Sequence, residues 1–179
     1  GRWLLERLRA RAAAAPPVAF AVADGARLPL FGRALVLRLA PGRAARWRPQ
    51  PDGGEELVLP VAADAQRALV RALRARALDW YRGRVEEYCH RLGLPLPPLR
   101  LSSAATRWGS CSRLSGIRLH WRLIHLEPAL IDYVVAHEVA HLVEMNHSPR
   151  FWAVVERLYP GWRDARAALR TAAATLPVI

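Results

Sequence analysis

The amino-acid sequence predicts an α+β fold in one domain, on three observations. Residues 17–60 contain short apolar runs separated by turn residues, which is typical of a β-rich section. Residues 61–92 change to helical spacing among long runs of Arg and Ala. Strand-like segments then return before a set of helices. Because 179 residues suit one well-buried core and are few for two, we expect residues 1–179 to form a single domain, with a β-rich section in residues 17–60 and the remaining helices and sheet in residues 61–179.

The N-terminal section is interpreted as a small antiparallel meander. Its strands are expected in "VAFAV", "ADGARLPLFG", "RALVLRLA" and "ELVLP". The "DGG" at 52–54 predicts a hairpin turn before the last of these strands. One long amphipathic helix should follow over residues 61–92, with Leu69, Leu73, Trp80 and Val85 among its apolar residues.

A short antiparallel sheet is predicted after that helix. "GIRLHWRL" alternates Ile117, Leu119, Trp121 and Leu123 with polar residues, which is the period of a half-buried strand. The intervening "RLSG" supplies a turn that pairs this strand with "TRWGSCS". Helices are expected next, over residues 128–145, 149–159 and 162–174.

Composition leaves the meaning of the charge open. The formal net charge is +12 and all 27 basic residues are Arg, which would attract nucleic acid, nucleotides or an acidic surface. A codon bias toward Arg, Ala, Leu and Pro would produce the same excess. Cys89 and Cys111 lie far apart, so no disulfide framework or cysteine-rich zinc site is indicated, and a cytoplasmic location fits. The first 25 residues make a poor signal peptide, and their apolar stretch, broken by Pro16 and Pro17, is too short to span a membrane.

The stretch "VVAHEVAHLVEMNHSPRFW", residues 134–152, carries the pattern HExxH. Residues four apart lie on one face of a helix, so His137 and His141 can present two imidazoles to one ion. Glu138 lies beside them, close enough to reach a water on the metal. The sequence therefore predicts a zinc site with Glu138 as the general base, and residues 1–179 are expected to form a single metal-hydrolase domain with its catalytic core in residues 61–179. The opposite face of the helix is apolar through Ile131, Val135, Val139 and Leu142.

Catalytic zinc normally takes three protein ligands, and His147 is the natural third. It lies six residues past His141, which on a continuous helix would place it on another side. The helix must therefore end first, and Asn146 can adopt the left-handed conformation that ends helices. Ser148 would then cap a new helix with Pro149 at its first position.

The competing third ligand is Glu156 on the following helix. We favour His147 because imidazole is the commoner zinc ligand and its spacing is tight. The spacing HEVAHLVEMNH equals that of metzincins, but Glu144 stands where their glycine makes the turn. The only methionine, Met145, lies inside the motif, so the downstream Met-turn is absent and the chain is not a metzincin.

Three segments, "RWGSCS", "GIRLHWRLI" and "IDYVVAHEVAHLVEMNHSPRFW", together resemble the YgjP-like metallopeptidase family, which is related to the SprT and WLM zinc-dependent peptidases. The resemblance is strongest over residues 100–162. It implies a zincin-like α+β fold, zinc held by His137, His141 and His147, and Glu138 as the catalytic base.

The first hypothesis for the substrate is a peptide or protein. An extended peptide would add to the strand in "TRWGSCS" through backbone hydrogen bonds, and Arg107, Trp108 and Ser110 could line that cleft. His120 stands where the family resemblance leads us to expect Asn, and it could touch substrate or simply fill the exposed face of its strand. Trp108 and Cys111 could equally be core residues, and Cys111 could also approach the zinc, although a lone cysteine is more often a small buried apolar residue.

Two other hypotheses use the basic charge. In one, the same site hydrolyses nucleoside triphosphates, and Arg107, Arg118, Arg122 or Arg150 bind phosphates by bidentate hydrogen bonds. In the other, the chain is a DNA-associated protease, as the relation to SprT suggests, with seven tryptophans and many arginines available for stacking and phosphate contacts. The sequence identifies the metal chemistry more sharply than the substrate.

Overall fold

The computed structural model describes residues 19–62 and 64–179. Within them the strands are β1 Arg27–Leu30, β2 Arg33–Ala40, β3 Arg46–Pro49, β4 Glu55–Pro60, β5 Leu99–Ser102, β6 Gly109–Ser112 and β7 Gly116–His120. The helices are α1 Ala65–Arg91, α2 Pro128–Ala140, α3 Pro149–Leu158 and α4 Trp162–Ala172. The expectation about a signal peptide concerns residues that lie mostly outside this described part. Among the described helices, none combines the length and the apolar character needed to cross a membrane.

The N-terminal sheet has the strand order β1-β2-β4-β3. The prediction of an antiparallel meander is wrong here, because β2 pairs with β4 in parallel and not with β3. This pairing sets Leu37 beside Leu57, both fully buried, and leaves the polar strand β3 at the edge. The hairpin turn at residues 52–54 is confirmed, since β3 and β4 are antiparallel. In place of the strand expected in "VAFAV", the described residues show an isolated bridge between Ala19 and Val178.

The long helix α1 begins four residues later than predicted. Asp64 is its N-cap, and the side chain accepts a hydrogen bond from the backbone N–H of Arg67 at 3.2 Å. The buried face of α1 covers both sheets. Its residues are Leu69, Leu73, Ala77, Tyr81, Val85, Tyr88 and Cys89.

The second sheet has the order β5-β7-β6. The predicted antiparallel pairing of β6 with β7 is confirmed, while β5 joins β7 in parallel. The strand in "GIRLHWRL" ends earlier than its alternation predicted, because residues Trp121–His125 form a 3-10 turn. The His120 Nδ1 atom accepts the backbone N–H of Arg122 at 3.1 Å and so caps this turn.

The helix that carries the HExxH motif, α2, ends at Ala140, five residues before its predicted end. The expected left-handed conformation at Asn146 is wrong, since among the described non-glycine residues only Phe31 has a positive φ. The chain instead leaves α2 through a tight turn in which the N–H of Glu144 donates to the Ala140 carbonyl at 3.0 Å. Ser148 caps α3 as predicted, accepting the N–H of Phe151.

A salt bridge joins the two central helices. Arg84 on α1 donates from Nε and NH2 to the two carboxylate oxygens of Asp132 on α2, each at 2.8 Å. The Tyr88 hydroxyl donates to the same carboxylate at 3.1 Å. Because Asp132 lies five residues before His137, this contact fixes the first turns of α2 relative to α1.

Candidate metal centre

Three imidazoles converge where α2 ends. The Nε2 atoms of His141 and His147 lie 3.1 Å apart, and those of His147 and His137 lie 3.4 Å apart. The three ligand atoms lie within 4.8 Å of one another. Tetrahedral zinc with Zn–N distances of about 2.0–2.1 Å separates its ligand nitrogens by roughly 3.3–3.4 Å. The spacing of the imidazoles therefore fits one ion.

The end of α2 is what brings His147 into this group. His137 lies in the last turn of the helix and His141 is its first residue beyond the regular part. His141 Nδ1 lies 3.0 Å from the carbonyl oxygen of Glu144 in the turn that follows. In the tautomer that donates this hydrogen bond, Nε2 carries the lone pair and faces the other two rings.

Aromatic side chains of α3 enclose the imidazoles. Phe151 is fully buried, and its ring stacks on that of His141 with 4.4 Å between the ring centroids. The centroid of the same ring lies 5.0 Å from that of His137 and 4.9 Å from that of His147. Trp152 lies 5.8 Å from His137. Sequence analysis did not single out these two residues. Their signal is a short helix with one apolar face that begins just after the third histidine.

Burial holds the three imidazoles in their neutral form. Desolvation lowers the pKa of His137 well below its usual value and lowers the pKa of His141. Burial, with the neighbouring His141, lowers the pKa of His147 to about 4. Neutral imidazoles at pH 7 keep the lone pairs that a metal requires.

Glu138 is buried beside these rings, with 1% of its surface exposed. Its Oε2 atom has no hydrogen-bond partner among the described residues. Burial raises the pKa of this carboxyl to about 7, against the opposing charge of Arg107. A carboxyl with such a pKa can both take up and return a proton near neutral pH.

The strand β6 approaches Glu138 through a glycine. A Cβ atom built on Gly109 would lie 2.8 Å from Oε2 and 2.9 Å from Cγ of Glu138. It would also lie 3.1 Å from the backbone oxygen of Arg118 on β7. The glycine therefore makes room for the carboxylate.

The outer edge of β6 has no strand partner among the described residues. The carbonyl of Trp108 accepts the N–H of His120 at 2.7 Å, so these two residues form a hydrogen-bonded pair. Because such pairs alternate in an antiparallel ladder, the backbone groups of Gly109 and Cys111 point away from β7. The edge next to Glu138 thus carries outward backbone donors and acceptors on Gly109, which is buried, and on Cys111, which is half-buried.

The four residues expected to line the cleft fall into two groups. Arg107 is exposed and its charge acts on Glu138, while Ser110 is half-buried and lies beside Arg118 on the face of the sheet opposite Gly109. Trp108 and His120 are only 1% and 4% exposed, with their rings 5.6 Å apart edge to face. The structure therefore places Trp108 and His120 in the core, not on the surface of a cleft.

The other ligand candidates lie apart from the imidazoles. Glu156 on α3 accepts the indole N–H of Trp162 at 2.6 Å and faces Arg163 at 3.8 Å. In the described part of the chain, the group of side chains close enough to share an ion consists of the three histidines, without Glu156 or Cys111.

The arginines considered for phosphate binding do not converge on the site. Arg122 donates to the backbone oxygen of Ile179 at 3.1 Å and its guanidinium lies over Trp121. Arg118 is exposed on the face of its sheet that faces away from Glu138, and Arg150 is exposed at the start of α3. Of the four, Arg107 is the one whose charge reaches Glu138.

Comparison with known families defines the class of protein as a metal-dependent peptidase. The family model described as "YgjP-like, metallopeptidase domain" matches residues 1–172, nearly the whole chain. The chain belongs to the YgjP-like metallopeptidase family, and the resemblance stated from its motifs is confirmed. The prediction of a metal-dependent hydrolase is confirmed with it.

Two solved structures are similar to part of the chain. The metallopeptidase zymogen of Pyrococcus abyssi abylysin is 24% identical with a TM-score of 0.49, and covers 55% of this chain and 99% of its own. The metallopeptidase zymogen of Methanocaldococcus jannaschii jannalysin is 15% identical with a TM-score of 0.47, and covers 51% of this chain and 95% of its own. No curated protein matches the chain.

Proposed function

We propose that this metallopeptidase uses zinc, held by His137, His141 and His147, with Glu138 as its general base. The observation that supports this assignment is the convergence of three neutral imidazole nitrogens beside a buried carboxylate oxygen that has no partner among the described residues. Nitrogen-only ligand sets of this size are typical of catalytic zinc. The match to a metallopeptidase family implies a divalent metal at this point.

The metal and the surrounding residues have different roles in peptide-bond hydrolysis. Zinc, when bound, supplies a Lewis acid that lowers the pKa of water and polarises a carbonyl. Glu138 accepts the proton of the attacking water and then delivers it to the departing amine nitrogen. The buried position of Glu138 keeps its carboxylate free of competing solvent, and Gly109 leaves the space in which it moves.

The outer edge of β6 is proposed to hold the substrate backbone. The outward backbone groups of Gly109 and Cys111 can pair with an extended peptide and bring its scissile bond past Glu138. Ser110 would then contribute through its backbone, because its side chain points to the other face of the sheet. Arg107 remains an exposed side chain at the start of this edge.

A peptide or protein substrate is preferred over nucleotides. Membership of a metallopeptidase family implies a peptide bond as the target and gives no support to nucleotide hydrolysis or to a nucleic-acid partner. Among the described residues, the dispersed positions of Arg118, Arg122 and Arg150 also leave the site without the arginine cluster that a triphosphate requires.

The direct test replaces Glu138 by Gln. Zinc-loaded wild-type protein and the variant are incubated with a library of peptides, and new termini are identified by mass spectrometry. We expect the variant to keep its zinc and to lose activity by on the order of a hundred- to ten-thousandfold, since the base is lost while the ligands remain. Glu86→Gln, on the exposed side of α1, is the matched control and should keep wild-type activity. Full activity in Glu138→Gln would refute the proposed mechanism.

A further inference from the structure

A basic groove lies beside the first half of α1, away from the residues of the metal centre. Its volume is about 510 Å³, and it lies between α1 and the edge of the N-terminal sheet at β3. Arginines and apolar residues line it, with one acidic residue, Asp64, whose side chain caps α1. They include Arg43, Trp47, Pro60, Arg67, Ala68 and Arg71.

The arginines of α1 form a row along this side of the helix. Arg67, Arg71 and Arg74 are spaced by four and three residues and so lie on one face. No acidic residue occurs between positions 65 and 78, and the first turn contains none. A cation in the first turn of a helix opposes the helix dipole, so Arg67 costs stability where it stands.

Among the described residues, the three arginines that line the groove form no ion pairs, in contrast to other arginines of α1. Arg76 pairs with Glu55 at 3.0 Å and Arg84 pairs with Asp132 at 2.8 Å. Over residues 19–62 and 64–179, Arg43, Arg67 and Arg71 have no carboxylate partner within salt-bridge distance. Their charges are available to an external anion.

The row continues toward the metal centre. The Arg74 guanidinium donates to the Ser103 hydroxyl at 3.0 Å, at the start of the loop that joins β5 to β6. Arg107 lies four residues further along this loop, at most about 14 Å of extended chain from Ser103. Two residues later, Gly109 touches Glu138. We call Arg67, Arg71, Arg74 and Arg107 the arginine strip.

We propose that the arginine strip is a docking site for an acidic segment of the protein substrate, bound in the groove while a neighbouring segment lies along β6. The proposal rests on the peptidase function proposed above and adds a preference for Asp- and Glu-rich sequence next to the cleaved segment. Guanidinium groups bind carboxylates through paired, charge-assisted hydrogen bonds. The strip leads from the groove to the strand edge beside Glu138.

The composition of the groove favours a polypeptide over a nucleic acid. Single-stranded nucleic acid is held by aromatic rings on which bases stack. The one aromatic residue that lines the groove, Trp47, is covered by the guanidinium of Arg76, 4.7 Å from its ring. The remaining apolar wall consists of Pro60 and small side chains, which leave room for an extended chain. They are Ala44, Ala45, Ala68, Ala72 and Ala75.

The test measures binding by fluorescence anisotropy. The probe is a fluorescein-labelled peptide of alternating Glu and Ala, with the Gln counterpart and a single-stranded oligonucleotide of equal charge for comparison. The triple variant Arg67→Gln, Arg71→Gln, Arg74→Gln should bind the Glu peptide roughly tenfold more weakly than wild type. A control triple removes the same charge at Arg27, Arg157 and Arg170, which are exposed on β1, α3 and α4. Its affinity should fall by less than about threefold.

Each outcome decides the proposal. The proposal is supported if only the strip variant loses affinity for the Glu peptide and the Gln peptide binds weakly to the wild type. Equal losses in the two triple variants overturn it, since the effect would then be diffuse charge. Tighter strip-dependent binding of the oligonucleotide also overturns it in favour of a nucleic-acid interface. Repeating the measurement in Glu138→Gln keeps the two proposals apart, because binding does not need the base. Once a cleaved peptide is known, adding acidic residues to it should lower KM in wild type but not in the strip variant.

Discussion

Gly109 on β6 lies directly against the carboxylate of Glu138 on α2, with 2.8 Å between Oε2 and the position of a Cβ at residue 109. The backbone of the substrate-side strand and the proposed base are therefore in contact. The position of Glu138 depends on a residue that sequence analysis named only as part of the "WGSCS" segment.

Gly109→Ala should displace the Glu138 carboxylate. The added methyl group meets Oε2 and Cγ of Glu138, so we expect kcat to fall by at least about tenfold while the zinc content stays at the wild-type level. Overpacking should also lower the free energy of unfolding by about 1–3 kcal/mol. Steady-state kinetics, metal analysis and urea unfolding measure the three quantities.

The matched control for that change is Gly83→Ala in α1. Outside its own helix backbone, no described residue lies within 4 Å of a Cβ at Gly83, and alanine is the better helix former, so stability should rise by about 0.5–1 kcal/mol with activity unchanged. A Gly109→Ala variant with wild-type kcat would show that Glu138 tolerates displacement.

His147→Ala should remove one zinc ligand. We expect the affinity for zinc to fall by at least on the order of a hundredfold, because even the loss of a residue behind a ligand can cost that much. Glu156→Ala should keep the wild-type zinc affinity, since Glu156 is bound to Trp162. Competition with a chromophoric chelator measures both. A lower zinc affinity in Glu156→Ala than in His147→Ala would indicate that Glu156 is the third zinc ligand.

Asp132→Asn should loosen α2 from α1. Asp132 accepts two hydrogen bonds from Arg84 and one from Tyr88, so the variant should lose about 1–3 kcal/mol in free energy of unfolding. Asp79→Asn, on the exposed side of α1, changes the same charge and should stay within about 0.5 kcal/mol of wild type. Equal stability of both variants, measured in urea, would contradict the structural role of the salt bridge.

Alkaline pH should destabilise the protein through its tyrosines. All four have a raised pKa, with burial as the main cause, and that of Tyr88 is raised to about 12. A raised folded-state pKa contributes stability that is complete below the unfolded value near 10 and is lost as pH rises toward 12.

Spectrophotometric titration checks this behaviour. Tyrosinate absorbance should appear late in the folded protein and together with unfolding, and Tyr88→Phe should reduce the slope of stability against pH between about 10 and 12. Normal ionisation near pH 10 without unfolding would mean that these hydroxyls are open to solvent.

Local sequence patterns were sufficient to predict the helices, one strand pair and the HExxH site. The four helices and the pairing of β6 with β7 follow from periodicity, turn residues and caps, all of which act over a few residues. The HExxH spacing placed His137, Glu138 and His141 together for the same reason, since four residues make about one helical turn. Family resemblance then extended the prediction to a metallopeptidase, and the family match agrees.

Contacts between distant segments decided what the sequence left open. The parallel pairing of β2 with β4 depends on burying their leucines against α1, not on the turn between β2 and β3. Trp108 and His120 are core residues although Ser110 and Arg118, the next pair on the same face, are more exposed, so alternation along the strands does not decide their burial. Periodicity shows that a strand has two faces, and only the packing of the whole chain decides which elements cover each face. The same packing set Gly109 against Glu138 and brought His147 to the other two imidazoles.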